Sequence, residues 1–160
     1  MKRSLTVSLA LLAGCSFAPV RVPVADLEIP GNSSRGFICY APVPLEASPP
    51  VGFNGADYRA TALYQSEGEG AATVTVYGRR TPPEATCVPP SSADLPLSAP
   101  LTLTPGAAQE VLIGGPNYGA TLAELIAEPG TYFGASLSGG VLLSVNERIR
   151  LTGGEISVYY

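Results

Sequence analysis

The 160-residue chain has no histidine and no tryptophan, one methionine (Met1) and one lysine (Lys2). Without histidine, the Ser-His-Asp and Cys-His nucleophile arrangements and the HExxH zinc motif are excluded. With lysine confined to position 2, the body of the chain has no Ser-Lys dyad, Schiff-base lysine or P-loop lysine. The glycine pairs Gly114-Gly115 and Gly139-Gly140 match no phosphate-cradling spacing. Three cysteines and no histidine cannot complete a common zinc tetrad. Charge is also sparse: 14% of residues are charged, and the formal net charge is −4. Nucleic acids and anionic surfaces are bound through clustered cations, which this chain lacks. No metal, no cofactor and no nucleic-acid partner are therefore expected.

The chain opens with Lys2 and Arg3, followed by an apolar run from Leu5 to Leu12 that is too short to span a bilayer as a helix of about twenty residues. That is the form of a secretory signal peptide. The run ends in Leu12-Ala13-Gly14-Cys15, which resembles the lipobox of bacterial lipoproteins. The resemblance covers about a tenth of the chain. It implies cleavage after Gly14, a diacylglycerol (palmitate-type) anchor on the Cys15 sulfur and usually a further acyl chain on the new amino group. Each buried methylene adds roughly 0.8 kcal/mol, so two or three chains hold stably where one binds marginally. It further implies export and attachment to a membrane through the lipid. Ser16 stands where aspartate would signal inner-membrane retention in a diderm cell, so the outer membrane is the expected site there, and otherwise the outer face of the cytoplasmic membrane.

The division that follows is a signal peptide over 1–14, a lipidated tether over 15–19 and one domain over 20–160. Lys2 and Arg3 leave with the signal peptide, so seven arginines remain against thirteen acids. Cys39 and Cys87 are left as an even pair in an oxidising compartment, where the expected state is a structural disulfide.

Eighteen glycines and sixteen prolines break the chain into short apolar runs, many with two-residue alternation, which predicts β-structure. Expected strands are 20–29, demoted to an edge by Pro23, and 35–41. Next comes a hairpin of 57–65 with 72–78 joined by 66–70, then 101–104, 108–113 and 131–137. The closing strands are 141–145 after a Gly139-Gly140 turn, 148–151, and 155–160 after a turn at Gly153-Gly154. One short helix is expected near 121–128, with Thr121 and Glu124 as a capping box and Pro129-Gly130 as the stop. Before it, 114–119 reads as a turn. The segment Pro129-Gly-Thr-Tyr132 resembles the E–F corner of immunoglobulin-like sandwiches, which implies that the Tyr132 hydroxyl bonds back to upstream backbone. The fold class expected is all-β, a single antiparallel β-sandwich of the immunoglobulin-like class with about 8–9 strands.

For function, the residues favour a non-enzymatic, lipid-anchored cell-envelope protein with a structural, accessory or protein-interaction role and an envelope protein partner. The candidate interaction surface is Arg79, Arg80, Arg148, Arg150 and Tyr118. A small-ligand or glycan-binding module is the alternative, which a cleft lined by tyrosines would support. A third reading is a glycoside hydrolase, which needs two carboxylates held across a cleft; Asp57, Glu110, Glu124, Glu128 and Glu147 are the available acids.

Overall fold

The computed structural model describes residues 18–30, 36–68, 70–138 and 146–160. The lipobox, the Gly139-Gly140 turn and the strand expected at 141–145 lie outside the described residues.

Alternation of apolar residues sets the architecture. Along β4 (Gly55–Gln65) the side chains of Ala56, Tyr58, Ala60, Ala62 and Tyr64 are buried while their neighbours are not, as a strand with one face inward requires. The same pattern runs through β5 (Ala72–Arg79), β9 (Ala108–Gly114), β10 (Tyr132–Ser138) and β11 (Arg148–Tyr159). The inward rows meet as one core, and Tyr58 lies edge-on to Phe133 with ring centroids 5.5 Å apart.

The strands form two antiparallel sheets packed face to face, an all-β sandwich. In the first, β1 (Val20–Val24) and β2 (Leu27–Pro30) share one edge beside β11, followed by β4 and β9. In the second the order is β6 (Cys87–Val88), β3 (Ile38–Pro42), β10, β5 and β7 (Leu95–Pro96), with β8 (Leu101–Leu103) also paired to β5. Among the described residues there are thus more strands than expected, because the edges of both sheets are built from short pieces.

Several sequence expectations are corrected. β4 and β5 do not form a hairpin: β4 pairs with β11 and β9, and β5 with β10, β7 and β8. β4 and β5 thus lie in different sheets, and the chain changes sheet between Gln65 and Ala72. At Gly153-Gly154 there is no turn, and β11 runs unbroken from Arg148 to Tyr159. The register against β4 shifts between Thr152 and Glu155 in a bulge, with Gly153 at φ 61°, a conformation that favours glycine. Gly154 faces inward, where a Cβ would fall 2.6 Å from the Tyr58 hydroxyl. That hydroxyl has no hydrogen-bond partner among the described residues. Burial, with the Asp26 charge adding to it, pushes its pKa up to about 12.

The helix, α1, spans Gly115–Ile126, starting earlier than expected and ending sooner. Thr121 therefore lies inside it and caps nothing. Its first turn carries Pro116, a residue tolerated there because the first N–H groups have no helical partner. The Gly115 N–H is instead bonded by the Asp57 carboxylate at 2.7 Å, a cap supplied from β4. Leu122, Ala123, Leu125 and Ile126 turn inward and close one end of the sandwich. After the helix, the hydroxyl of Thr131 donates to the carbonyl of Leu125 at 2.5 Å. The tie back to upstream backbone expected of Tyr132 is thus made by its neighbour.

Candidate functional site

Cys39 and Cys87 are joined in a disulfide and stand directly opposite each other in the β3–β6 pair. This fastens the 81–100 connection to the second sheet, and the same connection covers the outer face of β3. Ile38 and Tyr40 point away from the core on that face, yet both are buried. The Tyr40 hydroxyl donates to Asp94 Oδ1 at 2.6 Å, while the Ser91 N–H and hydroxyl donate to Oδ2 at 2.6 and 3.0 Å. Arg79 stands 3.5 Å from the same carboxylate, with its guanidinium carbon 5.3 Å from the Tyr40 ring centre. Burial alone would raise the Asp94 pKa. The hydrogen bonds from Tyr40 and Ser91 and the Arg79 charge outweigh it and hold the carboxyl below the usual range. Burial, and the bond to Asp94, push the Tyr40 hydroxyl well up.

A pH dependence follows. A carboxyl whose folded pKa is depressed contributes stability that is complete above its unfolded pKa, about 3.9, and is lost as pH falls through the folded value. Wild-type stability is therefore expected to fall below about pH 4, with part of that fall missing in Asp94→Asn, which is less stable at neutral pH. Urea denaturation at pH 7 and pH 3 measures both, and parallel pH profiles for the two proteins would refute the assignment.

The expected interaction residues are not brought together. Arg79 is engaged with Asp94 and Tyr40, and the Arg80 guanidinium donates to the backbone carbonyl of Glu124 near the end of α1. Arg148 and Arg150 lie exposed on the outer face of β11, paired with Glu28 at 3.2 Å and Asp26 at 3.0 Å. Tyr118 is half-buried in α1. The five acids considered for hydrolysis are likewise dispersed. Glu124 and Glu128 are exposed at the far end of α1 and just beyond it, and Asp57 caps the start of α1 while also accepting the Tyr159 hydroxyl at 2.6 Å. Glu147 is buried at the opposite end, where Tyr64 and Ser66 donate to its Oε1 at 2.9 and 2.8 Å. Its Oε2 has no partner among the described residues. Among the described residues no group of three or more acids and cysteines is placed to hold a metal ion, and no helix is long and apolar enough to cross a membrane.

The feature that sequence reading passed over lies on the outer face of the first sheet. Where the β11 bulge exposes Gly153, a concavity of about 510 Å³ opens, lined among others by Arg59, Thr61, Glu110, Leu112 and Glu155. Register places Glu155, Arg59 and Leu112 in one row across β11, β4 and β9, and Thr152, Thr61 and Glu110 in the next. Leu112 is 42% exposed. Among the described residues Arg59 has no ion-pair partner, unlike Arg21, which reaches Glu155 at 3.5 Å. The signal was present as the outward positions of two alternating strands, but it required knowing that β4 and β9 are neighbours.

No protein-family model matches the chain, and no significant relative is found among curated proteins.

Proposed function

We propose that this is a lipid-anchored, non-catalytic cell-envelope protein whose domain works through protein contacts, with Cys15 as the lipidated residue and the outer membrane as its site in a diderm cell. The observation that carries the reading is Leu12-Ala13-Gly14-Cys15 at the end of a short apolar run. The domain supports it. Its first strand begins at Val20, five residues beyond Cys15, so the fold stands close to any lipid held by that cysteine. Tyr40, Tyr58 and Tyr64 are buried, and the buried polar groups around Asp94 are spent on bonds that hold the fold together.

Metabolic labelling with an alkyne fatty acid, followed by cell fractionation, tests the proposal. The wild-type chain should be labelled and recovered with membranes, and Cys15→Ser should lose the label and remain unprocessed. A Cys15→Ser chain still cleaved at the same bond and still membrane-bound would overturn it.

A further inference from the structure

We infer that the domain rests on the lipid bilayer through the corner of the sandwich at which the chain arrives from Cys15, an uncharged apolar surface made by Val20, Val51, Tyr159 and Tyr160. The inference rests on the lipid-anchor reading and adds to it a contact surface and an orientation.

Topology brings three separate segments to this corner. β1 starts at Val20, which stands opposite Val158 near the end of β11. β4 begins beside them: Gly55 pairs with Tyr159, and the Asn54 N–H donates to the Tyr159 carbonyl at 2.9 Å. Val51 lies just upstream in the same loop, next to Gly52 at φ 83°. The start of α1 completes the corner, with a concavity of about 380 Å³ between Tyr159 and Gly115-Pro116.

Single exposed apolar side chains are ordinary, whereas a contiguous group marks a contact surface. Among the described residues six large apolar side chains are exposed, and four of them are here: Val20 at 40%, Val51 at 91%, Tyr159 at 36% and Tyr160 at 49%. Segments 47–56, 115–123 and 158–160 contain no charged side chain. Asp57 beneath them is engaged by the Gly115 N–H and the Tyr159 hydroxyl. The opposite end of the first sheet carries Glu28, Glu67 and Arg148 instead. On the second-sheet side the patch is bounded by Arg80, which bonds α1 at Glu124. The domain therefore leans on its first sheet.

The tether selects the occupant. Val20 is five residues beyond Cys15, and five extended residues span at most about 18 Å. Acyl chains on Cys15 thus hold this corner, and no other part of the first sheet, within reach of the headgroups. A surface held so close needs little apolar area of its own to stay docked, because the anchor has already raised its local concentration. Tyrosine suits that depth, since its ring is apolar and its hydroxyl tolerates water. With no cation in the patch, the attraction is apolar burial and is insensitive to salt.

The chain has no tryptophan, so one introduced residue reports its own surroundings. Full-length Val51→Trp and Ala108→Trp chains, purified with their lipid and placed in phosphatidylcholine vesicles with brominated acyl chains, test the inference. Ala108 is exposed and pairs with Leu63, roughly 26 Å along β4 from Gly55. Any preference of tryptophan itself for the interface acts in both chains alike. Val51→Trp should emit at shorter wavelength and be quenched about twice as strongly as Ala108→Trp or more, because an indole at headgroup level meets the bromines. The difference should persist in high salt. Equal quenching at the two positions in a chain shown by mass spectrometry to carry acyl groups on Cys15, or quenching abolished by salt, would overturn the docking and leave the anchor standing. A Cys15 without acyl groups would overturn the anchor reading and the docking together.

Discussion

Replacing both Cys39 and Cys87 with alanine is expected to lower stability by about 4 kcal/mol on the chain-entropy relation, because the disulfide closes a long loop in the unfolded chain. The two residues are 48 apart in sequence. Domains of this size are stable by only 5–15 kcal/mol, so the effect is a large share of the total. The loss should also be uneven. β6 is a two-residue strand with β3 as its neighbour. Without the covalent tie its hold reduces to a short ladder and to the Tyr40 N–H bond to the Thr86 carbonyl at 2.8 Å. The connection that carries Asp94 is then freed from the sheet at one end, and Tyr40 loses part of its cover. Urea denaturation should show the midpoint falling. Hydrogen exchange should show Tyr40 and Ser91 amides opening before those of β4 and β11. A double alanine variant with an unchanged midpoint would mean that the disulfide constrains nothing the fold does not already hold.

The disulfide illustrates what a single sequence makes legible here. Its pairing was expected once Cys15 is assigned to the proposed lipid anchor, since the two cysteines then left have one choice. The buried faces were equally plain: Tyr58, Ala60, Ala62 and Tyr64 on β4, and Val74 and Val76 on β5, lie inward as their alternation predicts. Which sheet each strand joins was not plain. The Ser66–Gly70 link has the length of a hairpin loop, and nothing local distinguishes turning back beside β4 from crossing to the other sheet. The helix boundary failed for a related reason. Gly114 to Gly119 carries turn residues, and the cap that lets a helix begin at Gly115 is Asp57, far away in sequence. Gly153-Gly154 likewise reads as a turn, because the Tyr58 ring that needs Gly154 bare comes from another strand. The candidate arginines show the same limit. Arg79-Arg80 reads as a basic surface pair, whereas Asp94 and the end of α1 engage them across the fold. Arg59, in the middle of an alternating strand, drew no notice until its neighbours in β9 and β11 were known.

Gly114→Ala should be strongly destabilising, costing about 3 kcal/mol or more, from backbone strain of about 1–3 kcal/mol with a steric clash added. Gly114 sits at φ 93° and ψ −114°, a region that residues with a Cβ avoid. A Cβ there would fall 2.5 Å from the backbone carbonyl oxygen of Ala56 and 3.0 Å from a Leu122 methyl. The first contact is with backbone at the start of β4, so no side-chain rotation relieves it. Either β4 or the start of α1 must move. Movement there pulls Gly115 from Asp57 and Gly114 from Leu97, so one methyl group disturbs the sheet edge and the helix cap together. Gly106→Ala is the control, since Gly106 is also at positive φ, 73°, but a Cβ on it meets nothing within 4 Å. It should therefore cost only the backbone part, about 1 kcal/mol. Denaturation midpoints of the two variants separate strain from clash. Equal losses would show that close approach to Ala56 is not what requires glycine at 114. A larger loss for Gly114→Ala, with the amides of β9 exchanging faster, would show that this residue sets the position of the strand end.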